Sequence, residues 1–198
     1  MTGDITVISG PTAVGKGTVV SVLKERCPDV WVSVSTTTRP PRCTERDGVD
    51  YLFVSDAEFD TLVETNGLLE WACVHGTHRY GTPAAPVFNA IAEGRHVILE
   101  IDLQGSRQVR QSLPDVRSVF IAPPTWDDLV QRLIRRGTED EQACKRRLET
   151  ARKEMLAMDE FDHVVINDEV GRTVDELVDL LGLTTTSGTK VYLEQPHS

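Results

Sequence analysis

The sequence predicts an α/β domain built on a mostly parallel sheet with helices on its faces. Short β-branched runs alternate with stretches of helical period. Each run is apolar throughout, as a strand covered on both faces must be. A glycine-rich loop ending in lysine joins the first run to the first helical stretch.

Taken in order, the strands are expected at 5–9, 31–35, 96–101, 118–121 and 163–166. Helix-start chemistry fills the gaps between them. Ser55 and Glu58 have capping-box spacing ahead of Phe59, Leu62 and Val63; Thr82-Pro83 supplies an N-cap and an N1 proline; Thr138 and Glu141 repeat the box. From 36 to 82 the pattern shortens to alternations such as Val49-Asp50-Tyr51-Leu52-Phe53-Val54, which predicts a small antiparallel insert able to move as a lobe. The stretch 183–198 is rich in turn formers and is expected to be a flexible tail, with Val191-Tyr192-Leu193 its apolar part.

A length of 198 residues, 39% of them hydrophobic and 26% charged, is that of one ordinary globular domain and excludes a fibrous or wholly disordered chain. The net charge of −10 disfavours a general nucleic-acid binder. Cys27, Cys43, Cys73 and Cys144 are widely spaced, form no CxxC pair and are read as reduced thiols. The start, Met1-Thr2-Gly3-Asp4, has no basic n-region. No apolar run approaches the roughly 20 residues of a bilayer span. The expectation is a cytoplasmic protein with no membrane partner.

The strongest chemical signal is Gly10-Pro11-Thr12-Ala13-Val14-Gly15-Lys16-Gly17-Thr18, between a strand and a helical stretch. That is the context of a phosphate-binding P-loop: glycines let backbone N–H groups turn onto phosphate oxygens, the helix N-terminus adds positive potential, and Lys16 brings a full charge to the β/γ region. The position after the lysine ordinarily carries a Ser or Thr hydroxyl for Mg²⁺, and here it is Gly17. Either Thr18 or water takes over that contact, or the metal site is weakened. Further along, Arg39 and Arg42 stand three residues apart on a proline-stiffened segment, with forks that match phosphate oxygens. Tyr51 and Tyr80 offer neutral phenol donors to the same anion. Glu100 and Asp102 end an apolar strand, where open α/β sheets place their ligand crevice. A carboxylate there can hold Mg²⁺ directly or through water.

At this point the sequence resembles the guanylate kinase family. The segments that carry the resemblance are Ser35-Thr36-Thr37-Thr38-Arg39-Pro40-Pro41-Arg42, Asp47-Gly48-Val49-Asp50-Tyr51, Leu68-Leu69-Glu70-Trp71-Ala72, Tyr80-Gly81-Thr82, Glu100-Ile101-Asp102-Leu103-Gln104-Gly105 and Arg135-Arg136-Gly137-Thr138-Glu139. The resemblance implies a P-loop parallel-sheet core (1–35, 83–131 and 159–182) with a GMP-binding insert (36–82) and a lid (132–158). It implies transfer of the γ-phosphoryl of ATP to GMP, with Mg²⁺. It assigns the GMP phosphate to Arg39, Arg42, Tyr51 and Tyr80, and the guanine edge to Glu70 with Ser35 and Thr82. Asp102 is assigned to the metal or the GMP base. Gly10, Val14, Gly15, Lys16, Gly17, Thr18, Arg132, Asn167 and Asp168 fall on ATP, with Thr18 and Asp102 as candidate metal contacts. Lys16, Arg42, Arg136 and Arg147 carry the transfer, the last two from the lid. Arg135 and Arg146 are read as surface partners. A carboxylate at Glu70 makes chemical sense, because it accepts from both N1–H and the 2-amino group of guanine, whereas adenine offers no such pair.

Two alternatives stay open on the residues. Guanylate-kinase-like domains also occur as non-catalytic interaction modules, although these tend to lose the lysine and lid arginines retained here. The departures at Gly17 and at Cys43-Thr44 leave room for a nucleoside monophosphate kinase with another acceptor. The sequence gives no oligomeric state.

Overall fold

The computed structural model describes residues 3–74, 77–135 and 141–186. In chain order the elements are β1 (Ile5–Ser9), α1 (Lys16–Arg26), β2 (Val30–Val32), β3 (Thr36–Thr37), β4 (Leu52–Phe53), α2 (Asp56–Glu64), β5 (Leu68–Val74), β6 (His78–Pro83), α3 (Ala84–Ala92), β7 (His96–Glu100), α4 (Leu103–Ser112), β8 (Arg117–Ala122), α5 (Trp126–Arg135), α6 (Glu141–Leu156), β9 (His163–Ile166) and α7 (Val170–Leu181). A 3₁₀ turn at Met158–Glu160 joins α6 to β9. No helix among the described residues is long and apolar enough to cross a membrane.

Five strands form a wholly parallel sheet in the order β2-β7-β1-β8-β9. The side-chain period of two divides its apolar residues between two cores. Ile8, Ile98, Val119 and Val165 pack with Val19 and Leu23 of α1 and Leu177 of α7 on one face. Val7, Val97 and Leu99 pack with Val87 of α3 and Val109 of α4 on the other. Burying a side chain of this size contributes roughly 1.5 to 3 kcal/mol, so the two-sided core is what fixes β1 at the centre. The strands expected from the sequence are all present, with ends shifted by a few residues.

The second sheet has four strands, β4-β3-β6-β5. The pairs β3/β6 and β5/β6 are antiparallel, but β3 and β4 run parallel, Thr36 opposite Leu52 and Thr37 opposite Phe53. The insert is therefore mixed rather than antiparallel. Strands of two residues carry too little pattern to set direction, and the register comes from the neighbours.

Ser55 caps α2 with the full reciprocal box to Glu58. The start of α3 lies one residue later than expected: Pro83 occupies the N-cap position and no side chain caps it. Thr82 remains in β6, and its hydroxyl is used elsewhere. The expected cap at Thr138 and the segment Val191-Tyr192-Leu193 lie outside the described residues. At the start of the expected tail, Thr186 N–H donates to Arg26 O at 2.9 Å, tying the segment after α7 to the end of α1. All four cysteines are free thiols, Cys27 buried and Cys43 and Cys73 exposed.

Candidate active site

The phosphate loop leaves the C-terminal end of β1 through Gly10, whose φ of +147° and closeness to the Ile121 carbonyl exclude any side chain. It enters α1 through Gly15, the N-cap residue at φ +101°. Three side chains clamp the loop. Asn167 Nδ2 and Arg132 donate to Val14 O at 2.8 and 2.9 Å, and Arg132 also reaches Asn167 O at 2.8 Å. Thr173 Oγ1 lies 3.1 Å from Asn167 Oδ1, so both ends of the 3% exposed Asn167 amide have a partner. On the far side Glu154 Oε2 accepts from Thr12 N–H at 3.1 Å, joining α6 to the loop. Lys16 Nζ donates to Gly10 O at 2.7 Å and Pro11 O at 3.3 Å, folded over its own loop.

Val14, Gly15, Thr18, Arg132, Asn167 and Asp168 all border one cavity of about 320 Å³. Arg135, expected from the sequence to be a surface partner, borders it too. Asp168 pairs with Arg172 at 2.8 Å.

A second cavity, of about 250 Å³, opens between the two sheets and is bordered by Lys16, Ser35, Tyr51, Glu70, Tyr80, Glu100 and Asp102. The P-loop lysine thus shares one space with Ser35 and Glu70, expected at the base, and with Tyr51 and Tyr80, expected at the phosphate, whereas Arg39, Arg42 and Thr82 do not border it. Glu70, on β5, is 6% exposed, and its Oε1 accepts from the Thr82 hydroxyl at 2.6 Å. Burial, reinforced by the Asp102 charge and opposed by the Thr82 hydrogen bonds, pushes its carboxyl up to about 7. Burial and the neighbouring Tyr80 likewise push the Tyr51 phenol above its usual range, so it stays a proton donor at neutral pH.

Arg39 is held on several sides: Nε donates to Tyr80 Oη at 3.0 Å, and one terminal nitrogen reaches both oxygens of Glu45 at 2.9 Å. Its guanidinium also lies 5.4 Å from the Tyr51 ring centroid. Arg42, 69% exposed, has its own terminal nitrogen 3.7 Å from Glu45 Oε1, while its N–H donates to Glu45 Oε2 at 2.8 Å. The Arg39 and Arg42 side chains converge on one carboxylate, a role for Glu45 that the sequence reading did not assign. The available signal was an acid three residues after the second arginine.

The expected metal contacts border different cavities. Thr18 borders the first cavity and Asp102 the second. Asp102 Oδ1 caps α4 by accepting from Gly105 N–H at 2.8 Å. Glu100 lies closer to the place of the missing hydroxyl: a Cβ on Gly17 would stand 3.7 and 3.8 Å from its carboxylate oxygens. Burial raises the Glu100 carboxyl, and Lys16 pulls it back. Glu154 is raised and pulled in the same way. No group of three or more His, Cys, Asp or Glu that could hold a metal occurs among the described residues.

Of the cations expected to stabilise transfer, Arg147 is half-buried on α6, and Arg136 lies outside the described residues. Arg152, on the same helix, stacks over Trp126 at 5.3 Å. Glu154 had no local signal, because its partner Thr12 lies at the other end of the chain.

The family model named Guanylate kinase matches residues 2–183. A guanylate kinase of Cutibacterium acnes is 58% identical over 184 residues, covering 92% of each chain. One of Thermobifida fusca is 56% identical over 182 residues, again 92% of each. The crystal structure of guanylate kinase from Anaplasma phagocytophilum superposes with a TM-score of 0.76 at 31% identity, covering 91% of this chain and 85% of that one. The P-loop, the shared cavity and these matches lead to one conclusion: the chain belongs to the guanylate kinase family.

Proposed function

We propose that this enzyme transfers the γ-phosphoryl of ATP to GMP, giving ADP and GDP, and that the residues around its two cavities divide the work. The observation that carries this reading is the cavity shared by Lys16 and Glu70. It places a phosphate-loop cation and a buried, amide-reading carboxylate on the same space, as direct transfer between two nucleotides requires.

Glu70 accepts from N1–H and the 2-amino group of guanine, supported by Ser35, Thr82 and Asp102. A site built around such donors can reject a base lacking them by about 10⁴ to 10⁵. Arg39, Arg42, Tyr51 and Tyr80 take the GMP phosphate. ATP lies along Gly10, Val14, Gly15, Gly17 and Thr18, with Arg132, Asn167 and Asp168 beside the nucleoside. Arg132 and Asn167 act from beneath, through the hydrogen bonds that both donate to Val14 O. Lys16 swings from its own loop carbonyls onto the β/γ oxygens. Arg136 and Arg147 complete the cationic shell. Phosphoryl transfer needs alignment and charge around the equatorial oxygens rather than covalent catalysis.

Kinases of this family use ATP with a divalent metal. We take it to be Mg²⁺, and the residues fit an ion that keeps most of its water. Glu100, the carboxylate facing position 17, and Asp102, on the same cavity, are the residues that would hold it. Such an ion would supply positive charge against the phosphate oxygens.

The mixed sheet of β3 to β6, separate from the parallel sheet, supports the reading of 36–82 as a GMP-binding lobe. The region 132–158 is read as a lid that excludes water on closing, which suppresses hydrolysis. Work on free nucleotides accords with the cytoplasmic location expected from the sequence. The test is ADP release from ATP, which is expected to depend on GMP. Lys16→Met is expected to lower kcat by about 100-fold or more while the fold is kept; release that ignores GMP, or survives Lys16→Met, refutes the reading.

A further inference from the structure

Helix α4 lies against β5, the strand that carries Glu70, and two of its residues meet that strand, one at the carboxylate and one at the backbone of the next residue. Gly105 is the first. A methyl group on its Cα would overlap Glu70 Oε2 and stand 2.9 Å from Cδ and 3.3 Å from Cγ. The backbone of Gly105 does not call for glycine: it is helical, outside the left-handed region. Within a helix glycine is disfavoured relative to alanine. The demand for it comes from the space occupied by Glu70.

Gln108, one turn later, is the second. Its Nε2 donates to Trp71 O at 2.6 Å, and its Oε1 accepts from Trp71 N–H at 3.1 Å. Trp71 follows Glu70 on β5, an outer strand of its sheet. The side-chain amide therefore behaves as one residue of a missing strand, fixing the backbone immediately beside the carboxylate.

We propose that Gly105 and Gln108 are positioning residues for guanine selectivity. Gly105 leaves the room in which the carboxylate stands, and Gln108 holds the strand that presents it. With Oε1 bonded to Thr82 and Oε2 against Gly105, the carboxylate has one place to be. A side chain at 105 displaces it by about 1 Å, a shift that can cost about 10²-fold in an aligned site. The proposal rests on Glu70 as the guanine acceptor.

The test compares kcat and KM for GMP and for IMP, which keeps N1–H but lacks the 2-amino group. It uses the wild type, Gly105→Ala, Gln108→Met and Glu70→Gln, with KM for ATP as a control and thermal melting as the check on folding. Gly105→Ala is expected to fold, raise KM for GMP by about tenfold or more, and lower the GMP-to-IMP ratio of kcat/KM, with KM for ATP little changed. Gln108→Met is expected to move the same ratio in the same direction by a smaller factor. If Glu70→Gln collapses the ratio while Gly105→Ala and Gln108→Met leave it at the wild-type value, the two residues only pack and the proposal fails. If Glu70→Gln leaves the ratio intact, the reading of Glu70 fails and the proposal with it. Should Gly105→Ala not fold, the half-buried Gln108 decides alone, and an unchanged ratio in Gln108→Met overturns the proposal.

Discussion

The Thr82 hydroxyl donates to Glu70 Oε1 at 2.6 Å, and that bond explains two things at once. It orients the carboxylate proposed to read the base, and it removes Thr82 from the capping of α3, so the helix starts at Ala84 behind an uncapped Pro83.

The same burial makes Glu70 a source of pH dependence. Its carboxyl is raised from 4.5 to about 7, chiefly by burial. The folded chain therefore holds a proton that the unfolded chain releases. That contribution to stability is full below about pH 4.5 and is lost as the pH rises through about 7, a change on the order of 3 kcal/mol. Without nucleotide, Glu70→Gln is expected to melt above the wild type at pH 8 and close to it at pH 5. KM for GMP should rise below pH 7, because only the carboxylate accepts from both guanine donors. Equal pH dependence of melting in the two proteins would show that Glu70 does not carry the raised group.

At the proposed phosphate end, Arg39 uses its geometry as well as its charge. Its fork serves Tyr80, Glu45 and the Pro40 carbonyl together. Lysine keeps the charge but not the planar set of donors. Arg39→Lys is therefore expected to raise KM for GMP by about tenfold, roughly 1.4 kcal/mol, with KM for ATP unchanged. Steady-state kinetics with each nucleotide varied in turn checks this, and a KM for GMP equal to the wild-type value would mean that a point charge suffices.

Gly17 gives a prediction about the metal. A side chain there meets no clash, only the Glu100 carboxylate at 3.7 Å. Gly17→Ser should fold, gain about 0.5 kcal/mol from helix propensity, and add a hydroxyl beside Glu100. The Mg²⁺ concentration for half-maximal turnover is expected to fall several-fold. No change in that concentration would show that position 17 has no part in metal binding.

What the sequence revealed follows from how local each signal is. The strand, glycine turns and lysine of 5–18 are contiguous, and the Ser55/Glu58 box is a three-residue pattern, so both were legible. The parallel pairing of β3 with β4 was not, since Thr36 and Leu52 meet only through the surrounding sheet. Glu154 on Thr12 N–H and Gly105 against Glu70 are contacts across the fold, without any local mark. Thr82 was misread as a cap because its side chain had a stronger partner than the helix end. The residues bordering the second cavity were singled out mainly through the family resemblance, and it is the fold that brings them to one space.

The most direct test of a guanine-specific phosphotransferase is an acceptor screen at saturating ATP and Mg²⁺, measuring ADP release with GMP, dGMP, IMP, AMP, CMP and UMP. Turnover is expected to be greatest with GMP and dGMP, weaker with IMP, and about 10⁴-fold or more lower in kcat/KM with AMP. Preference for AMP or a pyrimidine monophosphate, or no acceptor-dependent release from folded protein, would contradict it.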